Sequence, residues 1–134
     1  MTTVKKLLSV EWGTALKGVY EYNLLRYFRT VPPRQLVIDV TYRCNARCVM
    51  CNIWKAEKKP ELTLEQFDQI LSEPLFGGIE RLMVSGGEPT LREDLPQLIG
   101  VCINRMPSLD TLSLITNGLW PERALSICED IAHK

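Results

Sequence analysis

The chain has 134 residues, 46% of them hydrophobic, and its 16 basic and 16 acidic side chains give a formal net charge of zero. This length and composition predict a globular chain with enough apolar material for one core, and they exclude a disordered one. No arginine-rich patch is interleaved with aromatic residues. Nucleic acid is therefore not an expected partner.

The cysteine content bears on the compartment in which the protein works. The chain has five cysteines, an odd number, and its first apolar run, residues 7–10, is ended by Glu11 and is too short for a signal-peptide core. Free thiols indicate a reducing compartment rather than a disulfide framework, so we expect a cytoplasmic protein. No apolar run approaches the ~20 residues that a membrane-spanning helix needs.

Residues 1–34 are predicted to form an N-terminal helical extension. Apolar residues recur at helical spacing between residues 4 and 28, which indicates an amphipathic helix or a pair of helices. We expect this segment to pack on the domain that follows. Contact with a membrane surface or a partner is the alternative, because basic residues flank the apolar stripe. Pro32 and Pro33 end the helix before the main domain, residues 35–134.

The main domain repeats a strand, a loop and an amphipathic helix three times. The predicted strands are residues 35–41, 81–85 and 111–115. Thr63 and Gln66 form a capping-box pattern before the first helix, Pro96 lies in the first turn of the second, and Pro121 begins the third. This alternation predicts an α/β fold, a partial (β/α) barrel of parallel strands with right-handed helical crossovers.

Two of the cysteines, Cys102 and Cys128, lie on predicted helices. Cys102 shares its predicted apolar face with Leu98 and Ile99, and Cys128 shares its face with Leu125. We interpret both cysteines as core residues that do not bind metal.

An unusual loop follows each of the three strands directly. The loops are residues 44–51, 86–90 and 116–118. Functional groups collect at the carboxyl ends of parallel strands, so we expect the three loops to share one site. For residues 116–118, a turn that only starts the next helix is the alternative to a polar lining of the site.

Cys44, Cys48 and Cys51 have a CxxxCxxC spacing on the first loop. Three thiolates on one short loop can hold three irons of a cubane cluster and leave the fourth iron open, whereas a closed zinc site needs four ligands. The alternatives are a zinc site with a fourth ligand and burial of the cysteines as small apolar side chains. The single histidine, His133, lies far along the chain and is a poor fourth ligand.

The second loop carries Gly86, Gly87, Glu88 and Pro89. Two glycines let the backbone pass close to a ligand and adopt positive φ, and the Glu88 carboxylate can meet an ammonium group. A Gly-Gly pair alone is usually only a turn. One crossover away from a three-cysteine loop, it indicates a ligand site.

These two motifs resemble the signature of the radical S-adenosylmethionine (SAM) superfamily, and the resemblance covers roughly residues 35–134. It implies that Cys44, Cys48 and Cys51 ligate a 4Fe-4S cluster whose open iron is chelated by SAM. In this family the reduced cluster passes one electron into the sulfonium, and a 5′-deoxyadenosyl radical then abstracts hydrogen from a substrate. The implied partners are SAM, an unknown substrate and a reducing electron donor.

The resemblance also implies further cofactor-binding residues. These are Met50, Gly86, Gly87, Glu88, Pro89 and Asn117. The Gly-Gly-Glu segment would contact the methionyl amino group of SAM, and Met50 would lie near the adenine. The sequence after the third cysteine looks more like members that modify peptides than like the molybdenum-cofactor cyclases, which usually carry tyrosine at the Met50 position. Members of the first kind also include uncharacterised proteins, so the resemblance leaves the substrate open, with a peptide as one candidate.

The family builds a six-unit partial barrel, and this chain supplies three strand-helix units. A full eight-unit barrel takes ~250 residues, so three units in about 100 residues agree with that proportion. We expect the N-terminal part of a radical SAM protein: a fragment, a truncated reading frame or half of a split site. A non-catalytic iron-sulfur module and a zinc-binding interaction domain are the alternative functions.

Overall fold

The computed structural model describes residues 12–24, 27–28, 32–57 and 60–132. The chain divides into two compact units, Met1–Pro32 and Pro33–Lys134. In the first unit, helix α1 spans Trp12–Asn23. The other parts of the predicted N-terminal helix, residues 4–11 and 25–26, lie outside the described residues, as does His133. No helix in the described ranges is long and apolar enough to cross a membrane.

The second unit is a three-stranded parallel sheet whose strands are connected by helices. The strands are β1 (Gln35–Asp39), β2 (Arg81–Ser85) and β3 (Thr111–Leu114), in the order β1-β2-β3. The helices are α2 (Leu64–Leu71), α3 (Leu95–Arg105) and α4 (Pro121–Ala132). The predicted fold class, a partial β/α fold with parallel strands, is confirmed. The strands β1 and β3 end slightly before their predicted limits.

The core lies between one face of the sheet and the helices. Leu36, Leu82 and Leu112 are aligned across the three strands and belong to this core or pack against it. Val37 and Met83, one position along, point to the opposite face because side chains alternate along a strand. The face of α3 predicted to be apolar is buried along its whole length, Cys102 included.

Local sequence signals set two of the helix starts. Thr63 Oγ1 accepts a hydrogen bond from the Gln66 backbone N–H (3.3 Å), and Gln66 Oε1 accepts one from the Thr63 N–H (2.9 Å). The predicted capping box is therefore formed. Pro96 lies in the first turn of α3, where the N–H that proline lacks would have no helical partner.

The predicted buried face of α4 is wrong. Leu125 is 64% exposed and Cys128 is exposed, whereas Ile127 is buried and Ile131 packs against the core. The helix carries two candidate stripes, and the one with two isoleucines buries more apolar surface. On α2, Ile70 is also exposed, whereas Phe67, three residues earlier, is buried.

Candidate functional site

The loops that follow the three strands meet at the carboxyl edge of the sheet, as the sequence predicts. Backbone pairing continues beyond β1 and β2, because Gly87 N–H donates to the Thr41 carbonyl and Glu88 N–H donates to the Arg43 carbonyl, both at 2.8 Å. The loop after β3 joins them through Asn117, whose backbone N–H donates to the Glu88 carboxylate (2.7 Å). Residues from all three loops are therefore in contact.

Gly86 and Gly87 are required by the close approach of two backbones. Gly86 has φ +130°, and a Cβ atom there would lie less than 3.0 Å from the Thr41 carbonyl oxygen. A Cβ atom on Gly87 would come equally close to the Arg43 carbonyl oxygen. The sequence predicts that the glycines make room for a ligand. The structure shows that they make room for the start of the cysteine loop.

The Glu88 carboxylate is buried and held by donors of the protein itself. Oε1 accepts from Thr90 N–H (3.2 Å), Thr90 Oγ1 (2.6 Å) and Thr116 Oγ1 (2.9 Å), and Oε2 accepts from Asn117 N–H (2.7 Å). Burial alone would raise the pKa of Glu88, but these hydrogen bonds outweigh it and lower the pKa below 4.5. Glu88 therefore joins the second and third loops as an anion. Its contact with an ammonium group stays a prediction.

Asn117 lies beside the first cysteine. Its Nδ2 donates to Asn45 Oδ1 (2.7 Å) and is 3.9 Å from Cys44 Sγ. Leu119 N–H donates to Asn117 Oδ1 (2.9 Å), which orients the amide so that its NH₂ group faces the cysteine loop. The loop after β3 is therefore part of the edge where the other two loops meet, in addition to preceding α4.

The three loop cysteines are free thiols that differ in burial. Cys44 is half-buried and its Sγ accepts from Ala46 N–H (3.4 Å), whereas Cys48 and Cys51 are exposed. Met50 is 98% exposed. Met50 therefore lies on the surface of the loop, and its contact with the adenine of SAM stays a prediction.

Pro89 has a different environment from Met50. It is buried and begins a 3₁₀ turn, Pro89–Leu91, that leads from the second loop toward α3. A contact between Pro89 and SAM stays a prediction.

A family model described as the Radical SAM superfamily matches residues 38–133, which is most of the chain. The chain belongs to the radical SAM superfamily. Members of this superfamily use a 4Fe-4S cluster and SAM.

Relatives within the superfamily are named GTP 3′,8-cyclase. The protein of Acidothermus cellulolyticus is 36% identical over 95 residues, which are 65% of this chain and 26% of that protein. Those of Brucella ovis and Brucella canis are 39% identical over 88 residues, 62% of this chain and 26% of each protein. The chain thus spans about a quarter of the length of these curated relatives.

The donor set of the cysteine loop fits the radical SAM cluster. Cys44, Cys48 and Cys51 supply three thiols on one loop, whereas Cys102 is fully buried in the core on α3, where burial raises the pKa of its thiol to about 11. In the part of the chain that the structure describes, no three His, Cys, Asp or Glu side chains converge closely enough to hold a metal ion. A cubane cluster does not need such convergence, because each of the three thiolates would bind a different iron.

A polar network that the sequence does not predict joins the start of the cysteine loop after β1 to the residues that precede α2. The Glu61 carboxylate accepts from Arg43 Nε (2.9 Å) and Nη2 (3.1 Å), and also from Thr41 Oγ1. Burial alone would raise the pKa of Glu61, but the bonds from Thr41 and Arg43 lower it below 4.5. In sequence, Arg43 and Glu61 look like ordinary solvated loop charges, and no local pattern links them.

A buried arginine in the radical SAM core is equally unpredicted. Arg92 Nη1 donates to the Val40 carbonyl (2.9 Å) and Nη2 donates to the Leu62 carbonyl (2.7 Å). The same guanidinium forms a bidentate pair with Asp94 (2.6 and 3.0 Å). Asp94 is the N-cap residue of α3, but it makes no side-chain capping bond, because its carboxylate is bonded to Arg92.

Proposed function

We propose that this chain forms the cofactor-binding part of a radical SAM enzyme, in which Cys44, Cys48 and Cys51 hold the cluster. When bound, the cluster and SAM supply an electron and the 5′-deoxyadenosyl radical that abstracts hydrogen from a substrate. The observation that carries the proposal is the backbone pairing of the cysteine loop with the GGEP loop, residues 86–89, which brings both family motifs to one edge of the sheet.

The protein's own residues contribute positioning and polarity in this proposal. The Asn117 amide points an N–H group toward Cys44 Sγ, and such a donor stabilises negative charge on sulfur. The Glu88 carboxylate holds the Asn117 backbone, so it fixes the place from which that amide acts. Gly86 and Gly87 allow the two motif loops to lie in backbone contact.

Release of 5′-deoxyadenosine tests the proposal. The chain is reconstituted with iron and sulfide under anaerobic conditions, reduced, and supplied with SAM, and the products are separated chromatographically. We expect 5′-deoxyadenosine and methionine from the wild type and from Cys128→Ala, whose thiol is exposed on α4. Cys48→Ala is expected to give neither product.

A second candidate function is a non-catalytic iron-sulfur module. The chain spans 26% of the length of its GTP 3′,8-cyclase relatives, so turnover of SAM by these residues alone has to be tested separately from cluster binding. An intact cluster in the reconstituted chain without any 5′-deoxyadenosine would contradict the first proposal and support this second one.

Two substrate classes follow from different observations. The name of the relatives makes GTP the first substrate to test, and the sequence of residues 51–54 makes a peptide the second. Deuterated GTP and deuterated peptides are tested in separate reactions, each of which also contains SAM. The true substrate class is expected to transfer deuterium into 5′-deoxyadenosine, and a class that transfers none is not a substrate of this chain.

A further inference from the structure

All three loop cysteines lie on one long connection between β1 and α2, residues 41–61, which is here called the cysteine excursion. The excursion starts after Val40 and reaches α2 through Glu61. Thr41 and Arg43 still accept backbone hydrogen bonds from the GGEP loop, whereas near Cys48 and Cys51 the backbone hydrogen bonds are local, such as Cys51 N–H to the Cys48 carbonyl (3.2 Å). The side chains there are mostly exposed. Asn45 is tied to the third loop by Asn117 Nδ2 (2.7 Å), and beyond Asn45 the order of the segment depends on how its two ends are held.

The two ends are joined directly by side chains. Glu61, at the returning end, accepts two hydrogen bonds from the Arg43 guanidinium and one from the Thr41 hydroxyl, both at the departing end. A bidentate arginine-carboxylate pair fixes orientation as well as distance. Arg43 immediately precedes Cys44, so this pair acts one residue away from the first thiol.

The same two ends are joined a second time from the GGEP side of the sheet. Arg92 is 3% exposed and donates to the carbonyls of Val40, before the departing end, and Leu62, after the returning end. Its guanidinium also lies 5.4 Å from the centre of the Phe67 ring on α2, and Asp94 balances its charge. One buried cation thus bridges both ends of the cysteine excursion.

We propose that Glu61 and Arg92 are positioning residues. They hold the two ends of the cysteine excursion together and so favour cluster binding. Ordering a long loop costs conformational entropy, and a loop whose ends are already fixed has less left to lose when its thiols gather around a ligand. Neither residue has to touch the cluster in this role. The inference rests on the proposed function, since it assumes that the loop binds a cluster.

The chain offers a matched control for the Glu61 pair. Asp68 and Arg105 form another bidentate pair (2.7 and 2.6 Å) between α2 and α3, also partly exposed, away from the cysteine loop. Glu61→Gln and Asp68→Asn each neutralise one carboxylate of such a pair without a change in size. A general effect of losing an ion pair would appear in both variants, whereas an effect on the loop would appear only in Glu61→Gln.

The first measurement is the rate of iron loss from the reconstituted protein to a chelator. We expect Glu61→Gln to lose iron roughly fivefold faster than the wild type, which is the scale expected for weakening a hydrogen bond to a charged group. Asp68→Asn is expected to stay within about twofold, the scale of a surface ion pair. Equal rates in the two variants would overturn the proposal.

The second measurement uses the chain without metal and separates this proposal from the proposed function. Amide hydrogen exchange of residues 44–57 is compared in the wild type, Glu61→Gln and Asp68→Asn, with urea unfolding as the measure of global stability. We expect faster exchange in Glu61→Gln at a global stability equal to that of Asp68→Asn. Unchanged exchange would overturn the proposal even if the cluster binds, and a chain that never binds a cluster can still show the effect.

Arg92→Lys provides a second, independent variant. It keeps the positive charge, but an ammonium group cannot reproduce the planar fork that reaches two carbonyls and one carboxylate. We expect faster exchange of residues 44–57 than in the wild type. If Arg92→Lys does not fold, Glu61→Gln decides the matter, because Glu61 lies nearer the surface.

Discussion

The cysteine loop and the GGEP loop lie side by side at one edge of the sheet, yet they are built in opposite ways. Cys48, Met50 and Cys51 are exposed, whereas Glu88 and Pro89 are fully buried. The first loop presents thiols, and the second supplies backbone contacts and a bonded carboxylate. One motif of this family therefore presents the thiols that we propose as cluster ligands, and the other organises the edge of the sheet beside them.

Hydrogen bonds explain how the Glu88 carboxylate can be buried at this edge. A buried charge is costly unless hydrogen bonds satisfy it, and Glu88 accepts four of them. In the described ranges, no buried side-chain nitrogen or oxygen atom lacks a hydrogen-bond partner. The GGEP loop is therefore expected to be sensitive to substitution through folding, and the cysteine loop through ligand binding.

The largest predicted effect is the difference in cluster binding between Cys48→Ala, which removes a proposed ligand, and Cys102→Ala, which removes a core thiol. Cys48→Ala is expected to abolish cluster binding while leaving the stability of the metal-free chain unchanged, because Cys48 is exposed. Cys102→Ala is expected to bind the cluster normally and to lose about 1 kcal/mol of stability, because it removes buried atoms. Iron and sulfide analysis with urea unfolding measures both effects. Equal loss of iron in the two variants would contradict the ligand assignment.

The next effect tests the close approach of the two loops. Gly87→Ala is expected to lower the free energy of unfolding by about 1–3 kcal/mol, because its Cβ would clash with the Arg43 carbonyl. Gly77→Ala is the control, since no atom lies within 4 Å of a Cβ there. It is expected to change stability by less than about 0.5 kcal/mol. Similar urea midpoints for both variants would mean that the loops are not in backbone contact.

The weakest effect concerns the pH dependence of stability. The folded pKa of Glu88 is lowered, so its contribution to stability is complete above the unfolded pKa, ~4.3, and is lost as the pH falls through the folded pKa. The wild type is therefore expected to be more stable than Glu88→Gln near pH 6, by about 1 kcal/mol. The difference is expected to shrink as the pH falls below the unfolded pKa, ~4.3, and through the lowered folded pKa.

Urea unfolding at several pH values measures this difference directly. Glu129→Gln is the control, because it removes a carboxylate of the same kind that is exposed on α4, outside the Glu88 network. Its stability is expected to follow that of the wild type across the whole pH range. If the curves for the wild type and Glu88→Gln also run parallel across that range, the Glu88 carboxylate is not held as described.

Much of the fold could be predicted because its signals are local. The capping box of Thr63 and Gln66 and the proline in the first turn of α3 are readable within a few residues. The prediction of the buried face of α4 was wrong because the helix carries two apolar stripes. Only packing against the rest of the unit selects the stripe that contains Ile127. Sequence periodicity cannot rank two stripes of similar character.

The candidate site also has parts that the sequence predicts and parts that it does not. The cysteine spacing and the GGEP segment are contiguous motifs, so the sequence indicates them directly. The Arg43–Glu61 pair joins residues 18 positions apart, and Arg92 reaches a carbonyl 52 positions away. Such contacts exist only after the strands have paired, and charged loop residues otherwise look solvated. The motifs of the site are therefore readable from the sequence, whereas the residues that join the ends of the cysteine excursion are not.

The decisive measurement is iron and sulfide analysis of the anaerobically reconstituted chain, combined with electron paramagnetic resonance of the reduced protein before and after SAM is added. With Cys44, Cys48 and Cys51 as the protein ligands, we predict about four irons and four sulfides per chain and a spectrum that changes when SAM binds. One tightly held zinc without sulfide, or a cluster whose spectrum SAM leaves unchanged, would contradict this assignment.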